Sequence, residues 1–198
     1  MAIQQHDLPV AQITQTIGME DDFLVSRLTG KNFAAKLQEI LQNFPEEVVA
    51  LLDFSAVDLM DGSFADEVFG TIAAARGRRQ LFITPFILVS LNTMSLDNLE
   101  QALLSRPARE ESLRNCVVPV KSENGEISLV GKFEEHVQQT FALLNSSGEL
   151  TTREVAKELG LGTAAASTRL KALYDLGLAL RLEVRDDQGK SFVYHSIS

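Results

Sequence analysis

A single cysteine, Cys116, excludes an intrachain disulfide and any cysteine-cluster metal site. Three histidines, His6, His136 and His195, stand too far apart in sequence for the short spacings of a metal centre, so no metal and no cofactor is expected. Long apolar runs are also missing. A membrane helix needs roughly 18–20 such residues, and the best stretch here, Leu81 to Leu91, is far shorter and carries Thr84 and Pro85. The opening Met-Ala-Ile-Gln-Gln-His-Asp lacks the basic start and apolar centre of a secretory leader, so no membrane association and a cytoplasmic location are expected.

What is present is an ordinary globular composition, 45% hydrophobic and 23% charged, over 198 residues. The net charge of −9 is unevenly placed. Residues 149–198 hold seven basic and seven acidic side chains and are neutral, so the first 148 positions carry the whole excess. An acidic body repels nucleic acid at long range, and any DNA contact has to come from the carboxy-terminal part.

Along the chain, Val10 to Ile17 and Phe23 to Arg27 read as two short strands around the acidic turn Glu20-Asp21-Asp22. Phe33, Leu37, Ile40, Leu41 and Phe44 follow helical spacing up to Pro45. Val48 to Phe54 is continuously apolar except for Asp53, the pattern of a strand buried on both faces. Phe64, Val68, Phe69, Ile72 and Ala73 define a second helix, Phe86 to Leu91 a second buried strand, and Ser95 to Leu104 a third helix with Ser95 as its cap. Cys116 to Lys121 and Ile127 to Val130 form a hairpin around Asn124-Gly125. This alternation predicts an α/β unit, a mixed sheet with flanking helices, over residues 1–130.

From 131 to 198 the pattern changes. Phe133, Val137, Phe141 and Leu144 space a helix; Thr151 and Glu154 fit a capping box opening a short helix to Leu159; Gly160 and Gly162 make a turn. Thr163 is expected to cap the next helix, which runs to Leu176 and stops at Gly177, and two alternating strands follow, Leu178 to Val184 and Lys190 to Ile197. The stretch LTTREVAKELGLGTAAASTRLKALYDLGL, followed by GKSFVYHSI, resembles the winged helix-turn-helix domains of bacterial transcription regulators. That resemblance implies an α+β winged helix that binds DNA. With Leu170, Leu173 and Leu176 turned inward, Thr163, Ala164, Ser167, Thr168 and Lys171 form the outer face of the helix, with Arg169 at its edge. Arg185 and Lys190 flank the wing, where they reach phosphates or are simply solvated. Short hydroxyls replace the Asn, Gln or Arg that usually read bases, so direct readout is expected to be thin.

In the amino-terminal unit, the stretch VVALLDFSAVDLMDGSFADEVFG resembles the STAS fold of anti-anti-sigma factors, and more closely STAS-like domains of otherwise unknown function. Asp61 matches the family's aspartate and Ser63 its phosphoacceptor; Phe64 and Gly62 depart from the usual glycine and serine. The resemblance implies a regulatory partner, kinase-like or sigma-related. Two readings of Ser63 stay open: a switch at a helix start, opposed by Asp61, Asp66 and Glu67, or a plain cap in the spacing Ser63-Phe-Ala-Asp66. A receiver domain on Asp53 and Asp61 lacks its lysine, and a metal hydrolase on Asp53, Asp58 and Asp61 lacks a nucleophile and base. Arg76, Arg78 and Arg79 cluster at a helix end, either balancing its dipole or forming a basic patch for an acidic partner. The expectation is a non-enzymatic, homodimeric transcription regulator that binds DNA. The competing expectation is a protein–protein adaptor using both units.

Overall fold

The computed structural model describes residues 3–19, 22–186 and 189–198, and no side chain from 185 to 189. The protein has mixed α/β architecture. Its main sheet has the order β1-β3-β5-β6-β7, formed by Gln4–Pro9 (β1), Val48–Asp53 (β3), Phe86–Val89 (β5), Cys116–Lys121 (β6) and Ile127–Lys132 (β7). The first four strands run parallel and β7 returns antiparallel through the expected Asn124-Gly125 turn, where Gly125 has φ +85°.

Side-chain parity divides this sheet cleanly. Ala50, Leu52, Phe86, Leu88, Cys116, Val118 and Val120 join a core with the helices Arg27–Gln42 (α2) and Thr93–Arg109 (α5) and with the composite helix between them. That composite helix comprises Gly62–Ala65 (α3), a π-helical turn Asp66–Gly70 and Thr71–Gly77 (α4). The opposite set, Val49, Ile87, Val117 and Ile127, belongs to a second core shared with the carboxy-terminal unit, including Val137, Phe141 and Leu173. The continuous apolar strands are therefore buried on both faces because helices cover one face and the carboxy-terminal unit the other.

That unit comprises Glu135–Ser147 (α6), Glu149–Thr151 (β8), Thr152–Glu158 (α7), Thr163–Asp175 (α8), Leu180–Asp186 (β9) and Gly189–His195 (β10), with a three-stranded antiparallel sheet in the order β8-β10-β9. The capping box is present: Thr151 N–H donates to Glu154 Oε2 at 2.7 Å, and Glu154 N–H to Thr151 Oγ1 at 3.4 Å. Gly177, at φ +70°, ends α8 as expected, with Leu178 N–H returning to the Leu173 carbonyl.

Several local expectations are corrected. Val10–Thr16 is a helix (α1) rather than a strand, and the first strand lies earlier, at Gln4–Pro9. Val10, Ile13 and Thr14 are buried together, the i, i+3, i+4 spacing of one helical face rather than the alternation of a strand. Strand β2 is only Phe23–Leu24, paired in parallel with Leu59–Met60 (β4), while Glu20 and Asp21 of the expected acidic turn lie outside the described residues. Asn92, not Ser95, caps α5: its Oδ1 accepts from Ser95 N–H at 2.8 Å, which leaves the buried Ser95 hydroxyl to accept from Met60 N–H at 3.0 Å. Gly162, not Thr163, precedes the first turn of α8.

Gly131 joins β7 to the main sheet at φ +113°, and a Cβ there would lie 2.3 Å from the Cys116 carbonyl oxygen. Both the left-handed backbone and the contact demand glycine. Gly131→Ala is expected to lower stability by about 2 kcal/mol or more in urea unfolding, since a strained φ and a backbone clash act together.

Candidate functional site

Helix α8 turns Ala166, Leu170 and Leu173 inward and leaves Thr163, Ala164, Ser167, Thr168 and Lys171 exposed. This is the outer set that heptad-like spacing of the leucines predicts. The face is small and nearly neutral. Thr168 Oγ1 donates back to the Ala164 carbonyl at 3.0 Å, and Arg169, half-buried, donates from Nη1 to Gln139 Oε1 at 3.4 Å. Lys171 Nζ sits 2.7 Å from the Asp175 carboxylate, and Lys190 is paired with Glu183 on the neighbouring strand. Two of the expected phosphate-binding cations thus already have carboxylate partners. The Arg185 side chain lies outside the described residues. Arg181, which sequence reasoning passed over, stacks on Tyr174 at 4.4 Å and Phe192 at 4.6 Å and rigidifies the base of the hairpin.

The second region surrounds Ser63. Asp61, not Ser63, caps this helix: its Oδ1 accepts from Phe64 N–H at 2.7 Å and its Oδ2 from Ser26 N–H at 3.1 Å. One carboxylate therefore fixes a helix start and the Ser26 corner, which sits at φ +77°. Ser63 is exposed in the first turn. Asp66 cannot reach back as the capping-box partner because it is held elsewhere. Its side chain, 7% exposed, accepts from Arg106 Nε at 2.5 Å and Arg27 Nη1 at 2.9 Å, with Arg109 at 3.6 Å. Arg27 also lies 3.5 Å from Glu67. Two of the three carboxylates around Ser63, Asp66 and Glu67, are thus paired with arginines drawn from α2 and α5, residues far from position 63 in sequence, while Asp61 is engaged as the cap.

Burial alone would raise the Asp66 carboxyl, but hydrogen bonds and charge from Arg106, then Arg27, outweigh it and leave the pKa lowered. Gly70 makes the approach of Arg106 possible, since a Cβ there would lie 2.7 Å from Arg106 Nε. Asp53 is occupied in a local turn, accepting from Ser55 N–H at 2.9 Å and Ser55 Oγ at 2.8 Å. Among the described residues, no group of three His, Cys, Asp or Glu side chains is placed to hold a metal ion. Burial pushes the Cys116 thiol up to about 11, so it is not a thiolate at neutral pH.

The three arginines at the end of α4 form no common patch. Arg78 pairs with Glu110, Arg79 lies 3.2 Å from Asp175 of α8, and Arg76 is 2% exposed. The helical pattern already placed position 76 inward, three residues after Ala73, four after Ile72 and seven after Phe69. The presence of a charge masked that signal.

No protein-family model matches the chain, and no curated protein matches it in sequence.

The Asp61 geometry separates the two residues of the Ser63 region. Asp61→Ala is expected to cost about 1–2 kcal/mol through loss of the cap, and Ser63→Ala less than about 0.5 kcal/mol as a surface change, both read from chemical unfolding. Asp66 makes a pH prediction. Its folded pKa is depressed, so its stabilisation is complete above the unfolded value of about 3.9 and is lost as pH falls through the folded pKa. Asp66→Asn is expected to lower stability at pH 7 by about 2 kcal/mol and to flatten the wild-type decline below about pH 4.

Proposed function

We propose that the protein is a non-enzymatic transcription regulator. In this reading the carboxy-terminal unit is a winged helix-turn-helix that binds DNA, and the amino-terminal unit is a STAS-like domain that receives a signal through the Asp61–Ser63 region. The observation that carries it is the element order of residues 135–195, with α7 and α8 joined through glycines and the outer face of α8 left open beside a β-hairpin. The order helix, strand, helix, turn, helix, hairpin supports the winged-helix reading. Gly162 supplies no side-chain cap, so the first backbone N–H groups of α8 are free to meet a phosphate oxygen. The small side chains at Thr163, Ala164 and Ser167 permit that close approach. The two exposed hydroxyls and Thr168 offer short hydrogen bonds, and phosphate contacts with groove shape then contribute more than base identity.

Weak readout by one copy favours a homodimer spanning two half-sites about 34 Å apart. A kinase-like or sigma-related protein is the proposed partner at Ser63, whose exposure and proximity to Arg27-neutralised carboxylates suit a modifiable hydroxyl.

A second reading, an adaptor using both units for protein contacts, is favoured by one observation: Lys171 and Lys190 are already paired with Asp175 and Glu183. Salt dependence separates the two. Fluorescence anisotropy with a 30-base-pair mixed-sequence duplex at about 50 mM salt is expected to give micromolar binding that weakens steeply as salt rises. Ser167→Glu is expected to weaken it at least about tenfold without a change in Tm, because a carboxylate would face the phosphates. Absence of binding at low salt favours the adaptor.

A further inference from the structure

Between the two units lies a cavity of about 290 Å³, walled by the end of α2, the segment from α4 to β5, the end of α8 and the start of β9. This is close to the lower size for small-molecule sites. Its walls combine apolar and aromatic surface, including Phe44, Pro85 and Leu180, with two arginines, Arg76 and Arg181.

Arg76 is in an unusual state for a guanidinium. It is 2% exposed, and its Cζ lies 4.7 Å above the Phe86 ring. On another side it touches Gly177, where a Cβ would stand 2.4 Å from Cζ. Nη2 donates to the carbonyls of Ile83 at 3.3 Å and Thr84 at 3.1 Å, while Nη1 has no hydrogen-bond partner among the described residues. Among the described residues, no carboxylate forms an ion pair with it. Asp175 also lines the cavity but is shared between Lys171 and Arg79, and Glu46 makes no ion pair with Arg76 among the described residues. A buried charge without a counterion is costly, and burial accordingly lowers the Arg76 pKa to about 10.

From this geometry we infer that the seam cavity is a binding site for a small organic anion, a carboxylate or phosphate carried on a flat apolar body, with Arg76 and Arg181 as its anion receptors. A carboxylate or phosphate oxygen supplies the acceptor that Nη1 lacks and the charge that Arg76 lacks. The apolar body packs against Phe44, Pro85 and Leu180. Nη1 itself is closed to solvent, so the guanidinium must turn toward the cavity that Arg76 lines for Nη1 to meet the ligand. Because the walls come from both units, the ligand bridges them. The site does not depend on DNA binding and is tested without DNA.

The full chain is titrated with phenyl phosphate, benzoate, inorganic phosphate and the neutral benzyl alcohol, by calorimetry and thermal unfolding. At least one of the two aromatic anions is expected to bind one per chain with Kd below about 1 mM and to raise Tm by about 2–4 °C near saturation. The tighter of the two identifies the head group. Inorganic phosphate is expected to bind at least about tenfold more weakly for want of the apolar body, and benzyl alcohol not measurably. Arg76→Met preserves volume and removes the buried charge, and is expected to fold with binding reduced at least about tenfold. Arg181→Gln, nearer the surface, also gives up the stacking on Tyr174 and Phe192, and is expected to fold with Tm lowered by about 2–4 °C and to reduce binding about threefold or more. Failure of both aromatic anions to bind, equal binding of benzyl alcohol, or wild-type affinity in a folded Arg76→Met overturns the inference. If Arg76→Met does not fold, Arg181→Gln decides: reduced affinity supports the site, and wild-type affinity overturns it.

Discussion

The organisation of the molecule depends on one sheet that is apolar on both faces. In β3, Ala50 and Leu52 face the helices while Val49 and Leu51 face the carboxy-terminal unit; in β5, Phe86 and Leu88 are set against Ile87 and Val89 in the same way. Val49, Ile87 and Val117 are almost fully buried by that second contact. Burial of each such side chain is worth about 1.5–3 kcal/mol. The carboxy-terminal unit is therefore a layer of the fold, and removing it would strip one face of the sheet. The ion pair of Arg79 with Asp175 and the close packing of Arg76 against Gly177 add specific contacts to a junction that the apolar contact stabilises.

This explains which parts of the fold were legible in the sequence. Several features set by local rules were legible, since the Asn124-Gly125 hairpin, the Thr151–Glu154 capping box and the left-handed Gly177 need only neighbours close in sequence; other local assignments, the cap of α5 and the helix at Val10–Thr16, were not. The continuous apolar runs at 48–54 and 86–91 announced burial on both faces, although not what would cover the second face. Much of what escaped depended on distant partners. Strand β8 is three residues long and exists through its pairing with β10. Asp61 displaces Ser63 as the cap because the Ser26 N–H, thirty-five positions earlier, holds the other carboxylate oxygen. Asp66 is withdrawn from local capping by arginines on α2 and α5. Residue types that serve equally well as caps, ion-pair partners or site residues are assigned only once the third dimension supplies their competitors.

Charge follows the same logic. The excess of acid in the first 148 residues suggested a repulsive body with one basic patch at 76–79. In the folded protein those arginines diverge, one to Glu110, one across the seam to Asp175 and one into the interior. Lys171 on α8 and Lys190 on the hairpin are similarly engaged, so among the described residues the outer face of α8 is defined more by small, accessible hydroxyls than by net charge. A surface of that kind approaches a partner closely but contributes little long-range attraction.

Helix α8 connects these features mechanically. Its amino-terminal half presents the open face, while its last residues, Tyr174 and Asp175, wall the seam cavity and meet the amino-terminal unit. At 13 residues it is a single unbroken helix about 20 Å long. The same helix thus connects the seam at Asp175 directly to Thr163 and Ser167 at its other end. A ligand at the seam alters how the two units sit against each other only to the extent that it binds one arrangement more tightly than another, and couplings of about 1–3 kcal/mol are typical for such linked sites. The buried, unbalanced guanidinium of Arg76 provides a source for that difference, because its environment is defined jointly by the Phe86 ring of one unit and the Gly177 backbone of the other.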